Sequence, residues 1–271
     1  MYRISVIIPT FNREKYIRHA VQSVLDQTGQ DEGFEIAEIL IVDDGSTDNT
    51  EGVVKGIPDE RIIYHRMPVN GGPAVARNTG VAMANGDWIA FQDSDDIWHS
   101  DKLIKQVEYL NDNHDTDMVS HPIKAVFDDG SELITGTVES EDISRTLAEK
   151  NCFDTPTMLV RKECFIALGG FNTELKALED WEFALRFADR YRIGMVPEVL
   201  IEAEMISGGV SSGAADYYES RCKIIALDRD ILMSNGCFDN AVRSLLNHAQ
   251  RNELLPQVGK MLELYLSEGM D

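Results

Sequence analysis

Three apolar runs, each cut off by a polar turn, constrain this chain more than any other feature. Ile4-Ser5-Val6-Ile7-Ile8 ends at Pro9. Ile39-Leu40-Ile41-Val42 ends at Asp43-Asp44-Gly45-Ser46. Trp88-Ile89-Ala90-Phe91 runs into Asp93-Ser94-Asp95-Asp96. Short apolar runs without polar alternation suit strands covered on both faces, as in parallel sheets. Helical patterns separate them. Tyr16, Ile17, Ala20, Val21, Val24 and Leu25 fall on one helical face, and Pro73 to Ala84 reads as a helix with proline in its first turn. Ile62-Ile63-Tyr64 is a further short strand. This order predicts an α/β fold with a Rossmann-like, mostly parallel central sheet flanked by helices.

Beyond Trp98 the pattern loosens. Lys102 to Asn113 reads as a helix, and Val119 to Val138 as short strands around a turn at Asp128-Asp129-Gly130. Thr157 to Val160 and Val199 to Ala203 read as strands, and Asp180 to Arg190 as a helix. From residue 211 the pattern is helical to the end. The expected division is 1–98, 99–210 and a C-terminal helical extension over 211–271. In that extension Ala241, Val242, Leu245, Leu246 and Ala249 recur at helical spacing, followed by Val258, Met261, Leu262, Leu264 and Tyr265. These stripes are read first as covers for a core, and second as a surface for homo-oligomer formation through the C-terminal helices.

Charge narrows the partners. The 271 residues include 25 Lys+Arg against 47 Asp+Glu, a formal charge of −22. Such a surface repels nucleic-acid backbones and gives no polybasic grip on anionic lipid. No apolar run approaches the roughly 20 residues that span a bilayer. The apolar start is too short for a signal peptide and reads as the first strand. Cys152, Cys164, Cys222 and Cys237 have no CxxC spacing, so a reduced, cytoplasmic protein with buried thiols is expected rather than a zinc site.

In parallel sheets ligands bind beyond the carboxyl ends of the strands, so the turns carry the candidate chemistry. Asp93, Asp95 and Asp96 repel one another, and a divalent cation would relieve that. Oxygen ligands suit magnesium or manganese, while an acidic turn capping the next helix is the structural alternative. Asp44 can accept hydrogen bonds from a nucleobase N–H or a ribose hydroxyl. The alternative there is a helix cap by Ser46, Thr47 or Asp48. Phe11, in Pro9-Thr10-Phe11-Asn12-Arg13, offers a stacking surface for a base. Gly71-Gly72 precedes a helix and Arg77 lies one turn into it, an arrangement for diphosphate or for close helix–sheet packing. Neither GxGxxG nor a Walker loop is present, which removes support for dehydrogenase and P-loop chemistry. Glu179-Asp180-Trp181 opens a helix, where the dipole stabilises a carboxylate as a general base requires, or simply favours acidic residues.

Taken in order, Val6 to Arg13, Val42 to Ser46, Gly72 to Asn78, Asp93 to Asp96 and Glu179 to Trp181 resemble glycosyltransferase family 2. The resemblance is clear from residue 3 to about 110 and looser to about 205, and the helical tail lies outside it. It implies a GT-A fold and an inverting transfer of a hexose-type sugar from a nucleotide diphosphate donor, first of all a UDP-sugar. The acceptor it implies is a glycan or lipid-linked hydroxyl of bacterial envelope polysaccharide, reached from the cytoplasm, peripherally at the inner face of the membrane. By the same resemblance Pro9, Thr10, Phe11, Asp44, Arg77, Asp93 and Ser94 bind the donor, and Asp95 holds Mn2+ or Mg2+. Asp180 is the catalytic base, and Trp98, Glu179 and Trp181 lie on the acceptor side. Many relatives carry a histidine after the Glu-Asp motif. Here none lies between His121 and His248, and Ser207 or Ser211 is the nearest substitute for a diphosphate contact. A sugar-1-phosphate nucleotidyltransferase would carry a glycine-rich loop after the first strand, where Pro9 to Arg13 has no glycine. A non-catalytic sugar-nucleotide-binding or scaffold protein is the alternative, supported by the missing histidine.

Overall fold

The computed structural model describes residues 1–30, 32–127, 129–138, 143–205 and 213–268. The chain forms two compact units. One comprises Met1–Thr137, Phe153–Phe171 and Tyr191–Ser207, and the other Val138–Cys152, Asn172–Arg190 and Gly208–Asp271. Helices from the middle of the chain therefore belong with the C-terminal extension.

The first unit contains all the strands among the described residues. They are β1 (Tyr2–Thr10), β2 (Phe34–Asp43), β3 (Ile62–Arg66), β4 (Trp88–Phe91), β5 (Ile97–Trp98) and β6 (Met118–Ser120), then β7 (Ile123–Phe127), β8 (Glu132–Thr135), β9 (Leu159–Arg161), β10 (Ile193–Met195) and β11 (Ile201–Met205). Numbered along the whole chain, its helices are α1 (Ile17–Leu25), α2 (Thr50–Lys55), α3 (Pro73–Met83), α4 (Lys102–Asp112) and α6 (Lys162–Ala167). The main sheet runs β10-β6-β9-β4-β1-β2-β3. Every neighbouring pair is parallel except those made by β9, which is antiparallel to β4 and β6. The expected mostly parallel sheet is thus present, with one inserted antiparallel strand. Burial explains the unbroken apolar runs: Ile4 to Thr10 of β1 and all four residues of β4 are buried.

Helix α1 lays Ile17, Ala20, Val21 and Val24 into the core. Helix α3 comes closer to the sheet than a side chain would permit. A Cβ on Gly80 would sit 2.5 Å from Cγ2 of Ile7, so glycine is what lets α3 rest on β1. In register, Ile7 pairs with Leu40 and Phe91, and Thr10 pairs with Asp43. The carboxyl ends of β1, β2 and β4 therefore share one edge of the sheet. A smaller sheet, β5-β11-β7-β8, pairs β11 parallel to β7 and closes with an antiparallel β7–β8 hairpin. Asp128 of the expected turn lies outside the described residues.

The second unit is helical: α5 (Ile143–Glu149), α7 (Glu179–Arg190), α8 (Ala214–Leu227), α9 (Arg229–Ser234), α10 (Phe238–Arg251) and α11 (Leu255–Glu268). The apolar stripes of the tail supply its core, with Ala241, Leu245, Ala249, Val258 and Leu262 buried. All four cysteines are buried. Among the described residues no helix is long and apolar enough to cross a membrane.

One buried group makes this unit sensitive to pH. Arg186 grips Glu182 through two 2.7 Å hydrogen bonds, and Asp228 is buried. Burial, then the Glu182 charge, push the Asp228 carboxyl up to about 8, with Arg186 opposing. The folded chain holds a proton there that the unfolded chain releases near 3.8. Stability is therefore lost as pH rises between those values. Asp228→Asn should flatten that decline and so gain about 4 kcal/mol of unfolding free energy on the native chain between pH 5 and pH 8. Urea titrations at pH 5 and pH 8 read the difference, and an unchanged pH slope in the variant would refute a buried proton.

Candidate active site

Two turns at the carboxyl edge of the sheet are stitched together. After β1 the chain passes buried Pro9 and Thr10, then Phe11, which is 40% exposed, then Asn12 at φ 54. Asparagine tolerates this left-handed conformation better than most residues. The Asn12 N–H donates to Ser46 Oγ at 2.8 Å, and its side-chain oxygen accepts from the Thr47 N–H at 2.7 Å. The β1 and β2 turns thus hold each other, and Phe11 remains an exposed aromatic on them.

Asp44 is the hub of this edge. Its N–H donates to Thr10 O at 2.9 Å. Its two carboxylate oxygens accept from the N–H groups of Gly71 at 2.7 Å and Gly72 at 2.8 Å. Gly72 has φ 86, a conformation glycine adopts without penalty, and α3 follows directly. The amides considered for a phosphate contact are therefore engaged by Asp44. Each carboxylate oxygen keeps a second lone pair for a ligand donor.

The turn after β4 gathers acidic groups. Gln92 donates from its N–H to Ile7 O at 3.0 Å and from its side chain to Asp96 O at 2.7 Å. The Asp96 N–H returns to Asp93 O at 3.3 Å, so the carboxylates are held in one tight turn with buried Ser94. Arg77, buried one turn into α3, donates to Asp93 Oδ1 at 2.8 Å, and its guanidinium lies 5.9 Å from the Phe171 ring. Arg13 Nε is 3.3 Å from Asp95 Oδ2. These two arginines do not neutralise the turn. Burial, then the Asp93 charge, raise Asp95 against the pull of Arg13. Burial, then Asp93, Asp95 and Asp154, hold Asp96 well above the usual carboxylate range, with Arg77 opposing.

Asp154 is the member that sequence reasoning missed. It precedes a single 3-10 turn at Thr155–Thr157, just before β9. The protein packed around it, then the Asp93 charge, push its carboxyl up to about 6. No motif or periodicity singles it out. It joins the group because β9 pairs with β4.

Asp180, Glu179 and Trp181 belong to the second unit, in the first turn of α7. Leu178 precedes them at φ 62, a conformation that a branched side chain adopts only under strain, and its carbonyl accepts the Glu182 N–H at 3.1 Å. Asp180 Oδ1 accepts from the Trp181 N–H at 2.7 Å and from the Asn151 side chain at 3.4 Å. The two tryptophans differ from expectation. The resemblance puts both on the acceptor side, but Trp98 is 3% and Trp181 4% exposed. Lys102 Nζ sits 4.0 Å from the Trp98 ring centre and the Arg221 guanidinium 5.5 Å from that of Trp181, while the Trp181 indole N–H donates to Leu147 O at 2.7 Å. Their surfaces are used in packing, so they support neighbouring groups from behind. Ser207 and Ser211 lie outside the described residues.

No three acidic, histidine or cysteine side chains among the described residues converge tightly enough to hold a metal ion by themselves. The acidic turn still fits a cation that completes its coordination elsewhere. Magnesium-type sites commonly use one or two carboxylates together with substrate phosphates, and Asp95 and Asp96, raised first by burial and then by neighbouring carboxylates, are groups whose charged form a cation would stabilise.

Comparison with known proteins matches this arrangement to a family. The family model described as glycosyl transferase family 2 matches residues 5–168. A Haemophilus influenzae protein named only as an uncharacterized glycosyltransferase is 30% identical over 186 residues, covering 68% of this chain and 61% of that protein. TuaG of Bacillus subtilis, provisionally named as a teichuronic acid biosynthesis glycosyltransferase, is 44% identical over 109 residues, 40% of this chain and 41% of its own. The crystal structure of S. aureus TarS 1-349 in complex with UDP superposes with a TM-score of 0.63 at 27% identity. That alignment covers 83% of this chain and 65% of that one. The chain thus spans less than two thirds of the length of each of these three proteins.

The double grip of Asp44 on the glycine turn is directly testable. Asp44→Ala removes the acceptor of both amides, and charged hydrogen bonds contribute about 1.5–3 kcal/mol each, so a loss of about 3–6 kcal/mol of unfolding free energy is expected. An unchanged urea midpoint would show that the turn holds its shape without this carboxylate.

Proposed function

Because the chain belongs to glycosyl transferase family 2 and has the GT-A fold, we propose that it transfers a hexose-type sugar, with inversion, from a nucleotide diphosphate donor to a hydroxyl of a glycan or lipid-linked acceptor. One observation carries this reading: a single sheet edge presents an exposed aromatic, a buried Asp44 and an arginine-braced acidic turn side by side in sequence-ordered loops. UDP is the nucleotide bound in the TarS structure, which favours a UDP-sugar as donor here. An envelope polysaccharide is the matching product class, in keeping with the name of TuaG. A lipid-linked acceptor would place the reaction in the cytoplasm, peripherally at the inner face of the membrane.

Each residue has a role in the proposal. Phe11 stacks on the base, flanked by Pro9 and Thr10. Asp44 reads donor N–H or hydroxyl groups with its remaining lone pairs. Asp93 and Ser94 contact the ribose and sugar, while Arg77 braces Asp93 and adds positive charge near the diphosphate. Asp95 holds the divalent cation, Mn2+ or Mg2+, which supplies Lewis-acid charge to the departing diphosphate when bound. Asp180 accepts the proton of the acceptor hydroxyl as its oxygen bonds to the anomeric carbon, and the broken bond's electron pair leaves with the nucleoside diphosphate. The α7 dipole stabilises the negative charge on Asp180, and the Trp181 N–H and Asn151 amide fix its orientation. Glu179 lies beside it on the acceptor side.

The test is release of nucleoside diphosphate from UDP-, GDP-, CDP- and dTDP-sugars, with and without manganese. Asp180→Asn is expected to lower transfer at least about 100-fold while leaving donor affinity within about twofold, as loss of a general base does. Turnover at the native rate in that variant would remove Asp180 from the mechanism, and donor binding without turnover in the native chain would favour a binding protein. Asp95→Asn is expected to abolish the manganese dependence of UDP binding in calorimetry, and an unaltered manganese titration would contradict its role as ligand.

A further inference from the structure

Helix α10 is strongly two-sided. Its core stripe is Ala241, Leu245 and Ala249, and the opposite face repeats Arg243, Asn247 and Arg251, with His248 beside them. With Tyr217 and Arg221 of α8, this face lines a hollow of about 470 Å³ within the second unit. We propose that this hollow binds a phosphate-bearing group, and that the group belongs to the acceptor.

The charge pattern points to an anion. Several cations of this unit find carboxylates: Arg186 has Glu182, Lys223 has Glu219, and Lys176 has Asp216 and Glu219, whereas the hollow gathers three that do not. Arg221, Arg243 and Arg251 have no ion-pair partner among the described residues, in a chain with 47 acidic residues against 25 basic ones. Three guanidiniums around one hollow repel one another, and a bound oxyanion relieves that. Arg221 sharpens the point. It is 5% exposed, and its Nε is buried with no hydrogen-bond partner. Its other contacts are a 3.4 Å bond from Nη1 to the Tyr217 hydroxyl and the faces of Trp181 and Tyr217. Nδ1 of His248 is likewise buried and unpartnered. A buried charged donor without an acceptor is costly, and a ligand oxygen removes the cost.

The donor set selects phosphate over a simple carboxylate. Guanidinium forks match the paired oxygens of phosphate, and the Tyr217, Asn247 and Ser244 side chains approach from further directions. A tetrahedral dianion uses more of these donors than a planar monoanion does. The volume suits a sugar phosphate better than a bare ion.

The site also connects to the proposed base. The Arg221 guanidinium packs on the Trp181 ring, and the backbone N–H of the same residue donates to Asp180 Oδ1, so one residue touches both the wall of the hollow and the carboxylate. This second half, that the phosphate is part of the acceptor, rests on the transfer reaction proposed above. The first half does not.

Calorimetry of the full chain with inorganic phosphate, glucose 6-phosphate, glucuronate and glucose separates the two. Glucose 6-phosphate should bind best, inorganic phosphate more weakly and glucose not at all. The double variant Arg243→Gln/Arg251→Gln changes only exposed rim residues, and its fold is checked by circular dichroism. It should weaken glucose 6-phosphate binding by about tenfold or more, as loss of charged partners does. No phosphate-dependent heat, equal binding in the variant, or glucuronate binding as tightly as the sugar phosphate would each overturn the site, whatever the chain's enzymatic activity. Vesicles of phosphatidylglycerol that displace glucose 6-phosphate would reassign it to a lipid headgroup. In transfer assays the double variant should raise KM about tenfold for a phosphate-bearing acceptor with little change in kcat, the pattern of lost uniform binding. An unchanged KM would leave a phosphate site unrelated to the acceptor.

Discussion

Burial of Asp95, Asp96 and Asp154 beside Asp93 is the constraint on which the acidic edge of the first unit depends. Like charges this close destabilise one another, and burial removes the water that would screen them. The fold answers with two arginines from separate elements. Arg13 follows the β1 turn, and Arg77 comes from α3. Neither reaches its place by local preference. Arg77 is where it is because α3 lies directly on β1, which Gly80 permits, and because Gly72 turns the chain into that helix. The answer is also incomplete. Asp95, Asp96 and Asp154 all remain raised, so their turn still favours positive charge. A site left partly unneutralised by its own protein is prepared for a cationic ligand, at some cost to stability.

Asp44 transmits order across the same edge. It joins the β1 end through Thr10 and the glycine turn through two amides, and that turn launches the helix carrying Arg77. Groups at the ends of β1, β2 and β4 are therefore tied through one residue. A ligand that competes for the Asp44 oxygens would also act on the start of α3. Recognition at this edge and the position of the arginine are thus mechanically linked rather than independent.

The legible parts of the sequence were those where a run of residues reports its own burial. β1, β2 and β4 announce themselves because both faces are covered, α1 because its stripe repeats at helical spacing, and α3 because proline marks its first turn. The illegible parts depend on partners far along the chain. β10 is three residues long, too short for any period, and exists through pairing with β6. Helices α5 and α6 are short and carry little amphipathic pattern. Asp154 meets the acidic turn only because β9 inserts antiparallel between β4 and β6, a pairing that no local rule encodes. The surroundings of Trp98 and Trp181 are equally illegible. An aromatic beside an acidic motif says nothing of its burial, and here each ring is covered by a Lys102 or Arg221 side chain that no local rule places there.

The two units treat charge in opposite ways, and this qualifies what net charge says about partners. A total of −22 argues against polyanions at long range. At physiological salt that field is screened within about 8 Å, so a local cluster governs what binds at its surface. The acidic turn of the first unit collects carboxylates with too few cations, and the α10 hollow of the second is lined by arginines and no carboxylate. Both departures run against the average, since a chain rich in acids would most easily pair its arginines and spread its carboxylates. An imbalance retained at buried or half-buried positions costs stability unless ligands of the opposite sign complete it. The composition thus describes the solvent-facing surface, while the binding preferences lie in the few places where pairing was withheld.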